Sequence, residues 1–378
     1  MPGSSSTPTA TAAAAPRLAL LLVALLHLPP PAAPSLQHSC GKNCFDGAAW
    51  AIPPTCVTLF VEPASASTIM TASGAALTTK VLDNGGTRQS NAAAWNALKA
   101  ALPGSKLQTL VIAANDLDSE GAGFLAAGVA ACASLRKVSI GGNQVGDAGA
   151  THFATALKAG HPMEELLLAD NHIGDLGVAQ LAAAVKLDPV LRVLDLSQNY
   201  VTKGGATVLA DAIKANTHLE ALHLEGANIG DDGAAALAAA ISGTSLTTSK
   251  IHTLSLDNNN IGDRGAVLLA GALSVNKQIT TLSLGGNVVG DVGAAALATS
   301  TRYAGQLVAL NLHSNRIGRA GGLALAAALA TGAPNIVKET TGLVLTGNTI
   351  GDDVQLQIDQ AQAVIRAAQA VAAAAAAA

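Results

Sequence analysis

A single period governs most of the chain. Asn115, Asn143, Asn171 and Asn199 are evenly spaced, and Asn259, Asn287 and Asn315 repeat the same interval. Each closes the same short phrase: LVIAANDL, VSIGGNQV, LLLADNHI, LDLSQNYV, LSLDNNNI, LSLGGNVV, LNLHSNRI and, at Asn348, LVLTGNTI. A further copy, LHLEGANI, holds Ala227 in the asparagine column, one such interval after Asn199. The steps into Asn259 and Asn348 are slightly longer, and the first surplus falls in GTSLTTSK from Gly243 to Lys250. A period within the range of about 20–50 residues marks stacked supersecondary units, none of which can bury its apolar face alone.

Within each phrase the apolar positions alternate as a short strand requires, then give way to helix-spaced stretches. AAALAAAI (Ala234 to Ile241) and LALAAALA (Leu323 to Ala330) show that second half. Alanine forms helix readily and has little bulk, so such a helix can lie close to a strand layer. The pattern L-x-x-L-x-L-x-x-N-x-I/L, carried from about Leu107 to Asp353, resembles the leucine-rich-repeat family. The long period resembles the subtype of ribonuclease inhibitor, NOD-like receptors and Ran GTPase-activating protein. The resemblance implies an α/β solenoid, a partial horseshoe with parallel strands on the concave face and helices on the convex face. It does not imply a function, because function on a shared fold resides in the site.

The expected organisation has four parts. Residues 1–35 are a leader, 36–103 an N-terminal cap region with three cysteines, 104–353 nine repeats, and 354–378 a C-terminal helix with a poly-Ala tail. The cap shields the first coil, as a solenoid requires, and NAAAWNALKAAL with Trp95 is its expected last helix. The leader has no acidic residue before Asp46 and carries the apolar run LALLLVALLHL (Leu18 to Leu28). That run is too short to span a bilayer and suits a signal-peptide core. The reading favours the secretory pathway and extracellular space, with an organelle or the cytoplasm as alternatives. His38, Cys40, Cys44 and Cys56 lack a C-x2-C knuckle, which disfavours zinc and leaves one disulfide or reduced thiols open. Cys132, at the end of a repeat helix, is expected to be buried.

The column asparagines are expected to bond the turns above and below, since their amides both donate and accept. Asn258 and Asn260, flanking Asn259, are expected to face solvent. The recurring Gly-Asp pairs, such as Gly146-Asp147 and Gly262-Asp263, stand just before helices, where aspartate caps exposed N–H groups. One carboxylate per coil cannot converge on calcium, so no metal or other cofactor is expected.

Charge bounds the partners. A net charge of −4, 12% charged residues and no visible basic stripe disfavour nucleic acid, and 2% aromatics leave few interface anchors. Concave positions run from bland (Thr109, Val111, Lys137, Ser139) through acidic (Glu165, Asp170, Asp195, Glu225, Asp257) to neutral (Thr281, Ser283, Asn311, His313). Asp195, His223 and Ser255 share one column in acid–base–nucleophile order. An open sheet offers that trio no oxyanion donors, so catalysis is not expected. The function read from the sequence is a non-catalytic, monomeric scaffold with no membrane span. It binds a protein partner, with a basic surface, through Glu165, Asp170, Asp195, His223, Glu225 and Asp257. The alternative is a GTPase activator resembling Ran GTPase-activating protein, although that family's catalytic positions find no residue-by-residue match here and the exposed Arg264 and Arg319 are read as solvated.

Overall fold

The computed structural model describes residues 58–61, 68–70, 76–78 and 95–377, with gaps at 97, 243–248, 305 and 333–341. The leader, His38, Cys40, Cys44 and Cys56 lie outside the described residues. One ten-stranded parallel sheet runs through the fold. Its strands are β1 (Thr58–Val61), β4 (Thr109–Ile112), β5 (Lys137–Ser139), β6 (Glu165–Leu167), β7 (Val193–Asp195), β8 (Ala221–His223), β9 (Thr253–Ser255), β10 (Thr281–Ser283), β11 (Ala309–Asn311) and β12 (Leu343–Val344). A separate antiparallel pair joins β2 (Thr68–Met70) to β3 (Ala76–Thr78). The nine repeats thus follow one extra strand, β1, which lies inside the stretch read as cap and pairs in parallel with β4.

Helices follow the repeat strands: α1 (Ser119–Ala130), α2 (Gly146–Lys158), α3 (Asp175–Val185), α4 (Lys203–Ala215), α5 (Gly230–Ile241), α6 (Asp263–Val275), α7 (Asp291–Thr301), α8 (Arg319–Gly332) and α9 (Asp352–Ala377). No helix among the described residues is long and apolar enough to cross a membrane. Strand registers match column for column, so Leu166 pairs with Leu194 and Leu194 with Leu222, all fully buried. Each coil therefore contributes one leucine to a continuous row, and the alanine-rich helix faces close over it. Trp95 is buried and packs against Gly121, where a Cβ would stand 2.6 Å from its ring, closing the first end of the core. Cys132 is buried and free.

The asparagine column binds each coil to the one before it. Asn199 Oδ1 accepts from the N–H groups of Asn171 and Ile173, at 3.0 and 2.9 Å. Its Nδ2 donates back to Leu168 and to Leu196 of its own coil. Asn143 and Asn287 repeat the arrangement with Asn115/Leu117 and Asn259/Ile261. The triple asparagine resolves the same way. Asn259 is fully buried in the ladder, whereas Asn258 and Asn260 are exposed and left-handed, each with φ 56, a conformation asparagine tolerates.

The aspartates of the Gly-Asp pairs act across coils rather than on the helices they begin. Asp147 lies in the first turn of α2, yet its Oδ1 accepts from Gly174 and Gly177 N–H at the start of α3, at 2.7 and 3.0 Å. Asp231, Asp263 and Asp291 reach forward in the same way to Gly262/Gly265, Gly290/Gly293 and Gly318/Gly321. Asp175 reaches Thr202, which then caps α4 itself. This explains the glycine in the first turn of the receiving helix, at Gly177, Gly205, Gly265, Gly293 and Gly321. A Cβ on Gly177 would stand 2.7 Å from Asp147 Oδ1 and push the carboxylate out.

The two ladders are coupled. Where the preceding coil lacks the aspartate, with Ser119, Lys203 or Arg319 in its place, the next turn uses a left-handed glycine: Gly146, Gly230 or Gly351. Where the aspartate is present, the cap residues Gly174, Thr202, Gly262 and Gly290 are extended. The left-handed turn redirects N–H groups to backbone carbonyls, Asn143 to Asp170 and Gly146 to Asn171. As a result Asn171 Oδ1 is buried without a partner among the described residues.

Ala227 leaves the matching gap, since no bond to the N–H groups of Asn199 or Val201 is found among the described residues. Ala227→Asn should supply both acceptors and raise stability by about 1–3 kcal/mol. Asn199→Ala should cost more than Asn171→Ala, because only Asn199 has its Oδ1 engaged. Urea denaturation of the three variants checks the order, and no gain from Ala227→Asn would mean that water already serves those groups. Asp263→Ala, which strips the cap from α7, should lower stability by about 0.5–2 kcal/mol in the same assay.

Candidate functional site

The concave face is built by the strand residues either side of each buried leucine. Register places Asp195 beside His223 and His223 beside Ser255, then Ser255 beside Ser283 and Ser283 beside Asn311. These form a polar strip across β7 to β11. His223 Nδ1 and Ser255 Oγ are 3.0 Å apart. Asn311 Nδ2 donates to Ser283 Oγ at 2.9 Å, and Ser283 Oγ–H donates to Asp257 Oδ1 at 2.7 Å. Asp195 turns to its own loop, where Oδ1 accepts the Ser197 N–H at 2.9 Å. The three residues in relay order are thus neighbours by register, but the acid serves a turn.

The six residues singled out by sequence fall into different settings. Glu165 is paired with Lys137 on the adjacent strand, at 2.7 Å. Asp170 is exposed in a left-handed turn before Asn171, on the rim beyond β6. Asp195, His223 and Glu225 are half-buried on neighbouring coils. Asp257 is only 8% exposed and also accepts the Gly285 N–H. Burial pushes its carboxyl above the usual carboxylate range, partly offset by Ser283, Gly285 and the nearby His313. His313 lies over Gly285, where an added Cβ would collide with its ring. The acidic middle is therefore less charged toward solvent than its sequence suggests.

Sequence reading missed the extension of the strip through Ser283, Asn311 and His313, which it took for a neutral end. The signal was present, since these residues occupy the columns of His223 and Glu225. It also missed alternating charges just before the strands. Arg136 pairs with Glu164 and Arg192 with Glu220, lacing neighbouring coils along one edge of the sheet. Among the described residues no cluster of His, Cys, Asp and Glu could hold a metal ion.

Five segments, 131–154, 161–182, 215–238, 249–270 and 275–298, match the family model described as Leucine Rich repeat. Those five segments are leucine-rich repeats, and they lie within the α/β solenoid of parallel strands and helices. No curated protein matches the chain. Among solved structures, an internalin from Listeria monocytogenes shows 18% identity and a TM-score of 0.43, covering 70% of this chain and 67% of its own. The actin-binding site 2 of leiomodin-1 shows 17% identity and a TM-score of 0.31, covering 50% of this chain and 88% of its own.

The folded state holds the Asp257 proton more tightly than the unfolded chain, so stability falls as pH rises through the raised pKa. Asp257→Asn keeps an acceptor for Ser283 and Gly285 and removes the buried charge. Thermal unfolding at pH 7 should show equal or greater stability for the variant, with that fall in the acid range abolished. A clear loss at pH 7 would mean that the charge itself holds β9 to β10.

Proposed function

We propose that the solenoid is a non-catalytic scaffold that docks a protein partner on its concave face, across β7 to β11. The observation that carries this reading is the polar strip from Asp195 to Asn311. Asp195 is held by its own loop, and His223–Ser255 and Asp257–Ser283–Asn311 are bonded between neighbouring coils, yet several members stay partly open to solvent. Such pre-organised groups lose little freedom on binding, which is where interfaces gain affinity without added area. Asp195 and Glu225, with Asp170 on the rim, favour a partner whose facing surface is basic. The leader run Leu18 to Leu28 supports delivery through the secretory pathway as part of the same reading.

The GTPase-activator alternative finds no support in the two exposed arginines. Arg264 is paired with Asp232 at 2.8 Å, and Arg319 with Asp353 at 2.5 Å. A partner isolated on the immobilised protein should bind at least about tenfold more weakly to Asp195→Asn/Glu225→Gln, and more weakly as salt rises. Asp257→Asn, buried beneath the strip, should leave binding unchanged in the same titration. Equal binding to the parent and the double variant would move the docking site off the concave face.

A further inference from the structure

Lys158, Lys186 and Lys214 are isolated in the sequence, yet they recur at the repeat interval and occupy one column. Lys158 ends α2, Lys186 follows α3 directly, and Lys214 lies in the last turn of α4. All three are exposed, and among the described residues none forms an ion pair. Leu187, 79% exposed, adjoins the middle lysine. The structure therefore contains a basic stripe that no run of residues in the sequence displays.

We propose that this helix-to-strand edge of the second to fourth coils binds an extended acidic protein segment with a carboxylate at every third residue. Neighbouring packed helices lie about 8–10 Å apart, which sets the lysine spacing along the edge. An extended or polyproline-type chain advances about 3.1–3.3 Å per residue, so every third side chain recurs at that spacing. In the polyproline form those side chains also share one face, since it has three residues per turn. A segment crossing the helix ends at right angles would thus meet one lysine per carboxylate, with Leu187 offering apolar contact between them.

Each lysine also opposes the negative end of its own helix, which gives it a role without any partner. That role does not require three unpaired lysines in one column, where they repel each other. The nearby acids leave the stripe exposed. Asp188 is buried and accepts from Val190 and Leu191, and Glu164 and Glu220 are taken by Arg136 and Arg192. Asp211, one turn before Lys214, is the nearest carboxylate that makes no ion pair among the described residues. At the opposite edge Asp147, Asp175, Asp231, Asp263 and Asp291 are committed to backbone N–H groups. This surface is separate from the concave strip, so its test does not depend on that reading.

The test uses the full chain and fluorescent peptides of one composition, with glutamates either at every third residue or in a single block. Anisotropy titrations at low and physiological salt should show the spaced peptide binding at least about tenfold tighter than the block, with salt weakening both. Lys158→Gln/Lys186→Gln/Lys214→Gln should lose that affinity about tenfold or more, while the triple Lys→Arg variant keeps it. Lys203→Gln/Arg264→Gln/Arg316→Gln removes the same charge at the other edge and should bind like the parent. Equal losses in the two glutamine variants would reduce the effect to net charge and overturn the proposal. So would equal affinity for the two peptides, or lysine-dependent binding to phosphatidylserine vesicles with none to the peptides. Each variant should keep the parent's far-UV circular dichroism and a cooperative melt well above the assay temperature, so that a loss of binding reports on the edge itself.

Discussion

The turn N–H groups of each coil need partners from its neighbour, and at most junctions the asparagine column supplies them. The turns that leave the strands are buried between coils, where an unpaired N–H carries a desolvation cost of about 1–3 kcal/mol. One amide serves two donors behind it and donates to two or three carbonyls, as Asn199 does. A side chain of this kind cannot be replaced by a bulkier polar group without moving the strands apart. The constant period, the short strands and the leucine row all follow from keeping that amide in register.

The aspartates add a second tie with a consequence for charge. Their forward reach caps α3, α6, α7 and α8 from the coil before, and the repeat helices all run in the same direction. Parallel helices put all positive dipole ends on one edge and all negative ends on the other. Acidic first-turn residues such as Asp147, Asp231 and Asp263 gather at the former, and Lys158 and Lys214 at the latter. The acids are consumed by backbone N–H groups, whereas the lysines remain open. A chain of net negative charge thus presents a basic edge.

Much of the fold was legible in the sequence because the repeat states it many times over. The asparagine column, the exposure of Asn258 and Asn260, the burial of Cys132 and the strand-then-helix order were all read from nine aligned copies. Alignment along the chain does not say which neighbour a side chain reaches. The aspartates were therefore read as capping the helices they begin, although they cap the next ones. The extra strand β1 was hidden because it precedes the repeat: its TLFV matches TLVI of β4, but Ala64 stands where the column asparagine would follow. The candidate site was half legible. Column position brought Asp195, His223, Ser255 and Asp257 together, but pairing and burial come from across the sheet. Nothing in the order of residues shows that Lys137 takes Glu165 or that Ser283 and Gly285 enclose Asp257.

Both ladders fail at one junction, between the fourth and fifth coils. Lys203 stands where an aspartate would cap α5, and Ala227 stands where an asparagine would serve Asn199 and Val201. Gly230 is left-handed as a result, and Ile229 N–H reaches Asn259 Oδ1 only at 3.3 Å. Part of the loss is offset outside, where Asp232 pairs with Lys203 and Arg264 across three coils. Exposed pairs of this kind contribute little, so they do not replace the two missing ties at this junction. In a solenoid, stability is close to a sum over neighbouring interfaces, and a weak one in the middle divides the array into two more cooperative halves. The polar strip crosses that seam between Asp195 and His223. A partner seated on the strip would bridge the two halves, and its binding would make good at the concave surface what the ladders lack beneath it.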